Sequence, residues 1–148
     1  MLLIKKEDLV SYITINIETN GERFYDITNE IKKAISKETQ NNKNGIAHLF
    51  ITHTSCALTI NESYDPSAKK DLEVFLDHIA PRDLGFITHT DEGEDDSPSH
   101  MKSMLLNQSM SFIVEKSEFV LGTWQGIYLC EFRDSPKTRS ILLKFVAD

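Results

Sequence analysis

The 148-residue chain is poor in cysteine, proline and glycine, has a single tryptophan, and carries no surplus of positive charge. Cys56 and Cys130, far apart and outside any C-x-x-C pair, exclude a disulfide framework and leave two free thiols. No apolar run reaches the roughly 18 to 20 residues of a membrane span. The N-terminus places Met1 to Ile4 ahead of Lys5 and Lys6, the reverse of a secretory signal. The chain is therefore expected to be cytoplasmic, without a membrane partner. With 16 Lys+Arg against 23 Asp+Glu, its net charge of -7 argues against nucleic acid as a partner, since that affinity is built from basic side chains. Neither a P-loop nor a G-x-G-x-x-G is present, so phosphate would have to meet Lys102, Arg133, Lys137, Arg139, the helix start near Ser97 or a metal.

What is present is the composition of one globular domain, 40% hydrophobic and 26% charged, and long enough to bury its own core. Residues 9–18 alternate Ile13, Ile15 and Ile17 with polar neighbours, the period of a half-buried strand. Asn20-Gly21 supplies a tight-turn signal and residues 22–27 return, which predicts an N-terminal β-hairpin. Ile27, Ile31, Ala34 and Ile35 form a helical stripe that Thr28 can cap and that stops near Lys37, followed by a polar loop over 38–45. Strands are expected at 46–53 and 57–60. Asp65-Pro66 opens a helix burying Leu72, Phe75, Leu76 and Ile79 and ending before Pro81. Ser97-Pro98 repeats that signature for a short helix with Met101, Met104 and Leu105 inward. The last third reads as strands at 110–115, 118–121, 127–133 and 140–146. Without strict βαβ alternation, the class is α+β, one domain over residues 1–148 with a mixed or antiparallel sheet and about three helices.

Three histidines stand beside acidic or nucleophilic residues. His53 precedes Thr54-Ser55-Cys56, while His89 and His100 bracket Asp91, Glu92, Glu94, Asp95 and Asp96. Clustered carboxylates repel one another unless a positive group sits among them, and imidazole with carboxylate suits zinc, manganese or iron. The competing reading is a solvated acidic loop, and spacing alone leaves both open. Calcium is excluded as an EF-hand ligand because the loop spacing and closing Glu are absent. His48 and His78 have no acids beside them and read as ordinary strand and helix residues. Glu62, after Asn61, could be a base or ligand, while Asp65 caps its helix. Cys56 could be a nucleophile near His53 or a small buried thiol. Trp124, between Gly122 and Gly126, could stack on a ligand or cover the core, and Glu131 shares a strand face with Arg133.

Together His53-Thr-Ser-Cys-Ala-Leu-Thr-Ile-Asn-Glu62, Asp65-Pro66, Asp71-Leu-Glu, the block from His89 to His100, Leu121-Gly-Thr-Trp-Gln-Gly126 and Glu131-Phe with Arg139 resemble the YjbQ-like family, also named secondary thiamine-phosphate synthase enzymes. The resemblance covers nearly the whole chain. It implies an α+β homotrimer and a site holding a divalent metal, zinc, magnesium or manganese, on His53, His89 and His100. Glu62, Glu131 and Arg139 would serve catalysis, and Asn61, Trp124, Gln125 and Lys102 would bind a small-molecule substrate. The implied reaction joins a thiazole phosphate to a pyrimidine pyrophosphate. A metal-dependent hydrolase or phosphatase, or a trimeric ligand-binding protein without turnover, are the alternatives. The segment from His89 to His100 is more acidic here than is usual in that family.

Overall fold

The computed structural model describes residues 11–40 and 42–148. The charge pattern of residues 1–6 and the first part of the strand expected from Leu9 lie outside the described residues. In chain order the elements are β1 (Ile13–Thr19), β2 (Arg23–Asp26), α1 (Thr28–Glu38), β3 (Gly45–Ile51), β4 (Cys56–Glu62), α2 (Pro66–Ile79), α3 (Asp96–Leu105), β5 (Ser109–Glu115), β6 (Glu118–Phe119), β7 (Gln125–Glu131) and β8 (Lys137–Ala147). They form an α+β fold with two antiparallel sheets, ordered β1-β8-β3-β5-β6 and β2-β7-β4.

The expected N-terminal hairpin does not form. Residues 13–19 pair with β8, and residues 23–26 pair with β7 in the other sheet. Asn20-Gly21 turns a corner instead of closing a ladder. Gly21 sits at φ +97°, and the Tyr25 hydroxyl braces the bend by accepting from Asn20 N at 2.7 Å and donating to Gly21 O at 3.0 Å. β7 and β8 change sheets in the same way, so the two corners are stacked and each strand finds a partner from the other crossing. A turn signal encodes a reversal or a bend equally well; the pairing is decided by distant strands.

Helix α1 buries Ile31 and Ile35 against the principal core, which also holds Ala47, Leu49, Ile51, Leu58, Ile127, Leu129, Ile141 and Leu143. Its start is organised by Asp26, whose Oδ1 accepts from Thr28 N and Thr28 Oγ1, not by Thr28 acting as cap. The Thr28 hydroxyl accepts instead from Ile127 N. Asp65 does cap α2, accepting from Ser67 N at 2.9 Å, with Pro66 in the first turn. Of the expected α2 stripe, Leu76 is buried and Leu72 partly so, whereas Phe75 and Ile79 are exposed. A second core of Phe24, Ala57, Leu76, Tyr128, Cys130 and Phe132 covers the other face of the small sheet. With both faces covered, Gly126–Glu131 of β7 is buried throughout, which explains its unbroken apolar run. Among the described residues no helix is long and apolar enough to cross a membrane.

Candidate functional site

Helix α3 departs from its sequence reading in a way that builds the site. It begins at Asp96, before Ser97-Pro98, and buries Asp96, Ser99, Lys102 and Ser103 while Met104 is 77% exposed and Leu105 also faces out. A polar face can be buried only if its groups are paired. Ser99 Oγ donates to Asp96 O, and Ser103 Oγ donates to Cys56 O at 2.9 Å. The Lys102 ammonium pairs with Glu22 and with Asp77. Lys102 is thus a buried structural cation and is not presented to a substrate, contrary to its expected binding role.

The first turn of α3 brings Asp96 against two imidazoles. Asp96 is 1% exposed. His89 Nε2 lies 2.7 Å from its Oδ2, His100 Nε2 lies 3.4 Å from its Oδ1, and one ligand atom from each of the three residues falls within a 4.8 Å group. His100 Nδ1 donates to Thr54 O at 2.8 Å, which leaves Nε2 as the nitrogen with a free lone pair. The close approach of His89 does not satisfy hydrogen-bond geometry, so Asp96 Oδ2 is a buried carboxylate oxygen with no donor among the described residues. Such an atom is costly unless a cation completes its surroundings. The donor set, two nitrogens and a carboxylate, fits zinc, manganese or iron better than magnesium, which prefers oxygen.

His53 does not join this group. Its Nε2 accepts from Ser140 N at 2.8 Å. A neutral imidazole has one lone pair, and the amide takes it, so His53 in this arrangement has none for a metal. Burial, followed by the Arg139 charge, holds its pKa below the usual histidine value and keeps the ring neutral. Asp96 takes its place in the cluster. The signal for it is the (i, i+4) spacing of Asp96 and His100, which becomes visible once the helix is started ahead of Ser97.

Arg133 is a counter-charge of the acidic loop. Its Nε donates to Asp95 Oδ2 at 3.0 Å, its Nη2 to Glu92 O at 2.9 Å, and Nη1 pairs with Asp96 Oδ1. Although burial alone would raise it, the Asp95 carboxyl is held below the usual range by the Asp134 amide and this guanidinium.

The remaining expected residues are placed elsewhere. Glu131, 0% exposed, is neither on a site wall nor facing solvent. It accepts from Arg139 Nε and Nη2, from Thr19 Oγ1, and from the amides of Phe132 and Arg133. Arg139 Nη2 also donates to Ser55 Oγ at 2.9 Å. Glu131 is fully engaged by these donors, whereas Arg139 bonds through Nε and Nη2 alone and its Nη1 has no partner among the described residues, so the pair holds strands together and leaves one guanidinium nitrogen open. Burial pushes the Cys56 thiol up to about 12, which makes it inert rather than nucleophilic. Asn61, Glu62, Trp124 and Gln125 sit together at the far end of the small sheet, where Asn61 opposes Gly126 and Glu62 opposes Gln125. Glu62 Oε2 accepts from Asp65 N, Gln125 Oε1 accepts from Gly122 N, and Trp124 packs edge-on against Tyr64. Gly126 is required there, since a Cβ would stand 2.4 Å from Ser63 Oγ. Six residues of strand, roughly 20 Å, separate this cluster from the Cys56 and Glu131 end that adjoins the histidines. Within one chain the expected site is two sites.

The comparisons agree on ancestry. Residues 13–148 match the family described as UPF0047 protein YjbQ-like. The chain is 41% identical to the UPF0047 protein MJ1081 of Methanocaldococcus jannaschii, over 100% of this chain and 99% of that protein. It is 38% identical to YugU of Bacillus subtilis, over 90% and 97%. Among solved structures, TT1486 from Thermus thermophilus superposes with a TM-score of 0.80 at 33% identity, covering 90% of this chain and 99% of that one. A YjbQ/UPF0047 protein from Clostridium acetobutylicum gives 0.79 at 38% identity, covering 90% and 99%. With matches of this extent in sequence and in fold, the chain belongs to the UPF0047 YjbQ-like family.

Proposed function

We propose that the protein is a metal-dependent enzyme in which His89, Asp96 and His100 hold a divalent ion, zinc or manganese by donor type, and that it acts on a small molecule bearing phosphate or pyrophosphate. The observation that carries this reading is the donorless buried oxygen of Asp96 between two imidazoles. When bound, a divalent ion supplies Lewis acidity to oxygens that gain charge. Of the chain's own cations near the site, Lys102 is committed to Glu22 and Asp77 and Arg133 to the acidic loop, while Arg139 pairs with Glu131 through Nε and Nη2 and keeps Nη1 unpaired among the described residues. Charge on a departing pyrophosphate would then be met chiefly at the His89, Asp96 and His100 cluster, with Arg139 Nη1 the guanidinium nitrogen left over.

The activity to be tested first is thiamine-phosphate synthesis. The thiazole nitrogen forms a bond to the pyrimidine methylene, the methylene–oxygen bond breaks, and pyrophosphate leaves with the electron pair. Hydrolysis of the same pyrophosphate is the second reading, favoured by the openness of the site, where the His89 side chain is 56% exposed to water. A cytoplasmic homotrimer is the assembly we propose for either.

Metal analysis of untagged protein, followed by a turnover screen with both thiamine precursors, tests the proposal. About one zinc or manganese per chain, with turnover abolished by chelator and restored by metal, is the expected result. Protein that takes up no metal, or that turns over equally in chelator, refutes it. Coupled product with thiazole phosphate present identifies the synthase, whereas orthophosphate with the pyrimidine monophosphate, or pyrophosphate with the free pyrimidine alcohol, formed without thiazole phosphate identifies the hydrolase.

A further inference from the structure

Arg133 is buried just beyond the end of β7, and its guanidinium is spent on one stretch of chain. Nε meets Asp95, Nη2 the Glu92 carbonyl and Nη1 Asp96 Oδ1. The backbone beneath it is fixed as well: Arg133 N donates to Glu131 Oε1 at 3.0 Å, and Asp134 N donates to Asp95 Oδ2 at 2.8 Å. These contacts fold residues 92–96 around the arginine and make the two oxygens of Asp96 unequal. Oδ1 lies 3.4 Å from His100 Nε2 but is paired with Nη1, whereas Oδ2 lies 2.7 Å from His89 Nε2 and has no donor. Without the guanidinium both oxygens would border the imidazoles as free acceptors. With it, a divalent ion that took both would be pressed against a positive charge, and like charges repel strongly at short range away from water.

Resting on the metal-centre reading, we propose that Arg133 is the positioning residue of that centre: by holding Oδ1 it limits Asp96 to one donor oxygen, and so sets a preference for zinc over manganese. Asp96 Oδ2 with one nitrogen each of His89 and His100 makes three protein donors, the number used by zinc sites that keep a position open. Manganese favours six donors, mostly oxygen, and gains from a carboxylate that can give both. Arg133 acts through Asp96, as outer-shell partners of ligating carboxylates do. Its planar fork is what meets Asp95, Asp96 and Glu92 together, a geometry that a lysine ammonium lacks.

The test titrates the full metal-free chain with zinc and with manganese against chelators, and uses cobalt as an optical probe of coordination number. Native protein should prefer zinc, and its cobalt form should show the intense visible bands of four-coordinate cobalt, not the weak bands of the six-coordinate ion. In Arg133→Met the ratio of zinc to manganese affinity should narrow by about tenfold or more, the scale on which outer-shell partners act, and the cobalt bands should weaken. Asp95→Asn keeps an acceptor for Nε and leaves the pair between Nη1 and Asp96 in place, so its ratio should stay native. An unchanged ratio in Arg133→Met, an equal narrowing in Asp95→Asn, or six-coordinate cobalt in the native protein would overturn the proposal, and the last of these needs no variant to fold. Native protein that takes up none of the three metals sinks the metal centre itself, whereas metal uptake with an unmoved ratio sinks only the role of Arg133.

Discussion

Asp96 occupies a position that a carboxylate tolerates only with help. Arg133 neutralises one oxygen, and the other faces His89 with no donor. Asp96→Asn keeps an acceptor for Arg133 and removes the charge that a cation needs. Zinc affinity measured by chelator competition should fall by more than the roughly 10- to 100-fold typical of losing an outer-shell partner. The melting temperature of the metal-free variant should fall modestly, because Arg133 loses one carboxylate partner while keeping Asp95. A variant that binds zinc as tightly as the native protein would exclude Asp96 as a ligand. Asp95 gives the acid side of the stability profile. Its folded pKa lies below the unfolded value, so its contribution is present above the ordinary carboxylate range and is lost as pH falls through the folded value. In urea titrations Asp95→Asn should therefore lose stability near neutrality and show a shallower decline below about pH 4; unchanged slopes would contradict the Arg133 and Asp134 contacts.

At the scale of elements, the two buried charge systems differ in a testable way. Glu131 has five donors and no solvent, so Glu131→Gln leaves Arg139 buried without its counter-ion and should cost about 3 to 5 kcal/mol in urea unfolding. Lys102 has partners that keep other support, since Glu22 also meets Arg82 and Asp77 is largely exposed. Lys102→Met should cost less than about 1.5 kcal/mol and leave zinc uptake unchanged. Equal losses for the two would show that α3 depends on its ammonium as β7 depends on its carboxylate. The same elements mark what the sequence makes legible. The Ile27, Ile31 and Ile35 stripe, the Asp65-Pro66 start and the strands from β3 onward follow from local periodicity and capping. The N-terminal hairpin does not, because Asn20-Gly21 is compatible with a corner and its pairing is chosen by residues more than 100 positions away. Helix α3 misleads for a related reason. Its apolar side lines a cleft, and its polar side is buried through partners such as Glu22 and Asp77 that no local window contains. His89 and His100 could be found from their acidic surroundings, whereas the exchange of His53 for Asp96 rests on one backbone amide at Ser140.

For the whole molecule, the charge of -7 is concentrated: without the five acids between His89 and His100 the balance is 16 basic against 18 acidic. Arg133 gathers part of that loop inward, so the rest of the surface is nearly neutral, and neutral surfaces associate readily. Among the exposed apolar side chains of the described residues, two separate areas stand at different kinds of sheet surface, a face and an end. Ile46 lies between Ile113 and Val146 across three neighbouring strands of the large sheet, and all three are exposed, Ile113 by 65%. The other holds Tyr64 and Trp124 at the end of the small sheet, with Trp124 56% exposed. A dimer with two-fold symmetry buries one patch against itself, whereas a closed ring pairs two different patches head to tail. Two unlike patches on one chain are compatible with a ring, and the homotrimer proposed above would be one. Light scattering at micromolar concentration should give about three times 16.9 kDa, and either Ile113→Glu or Trp124→Glu should reduce it to a single chain. A native monomer would remove the ring. A dimer broken by only one of the two substitutions would show instead that one patch meets its own copy.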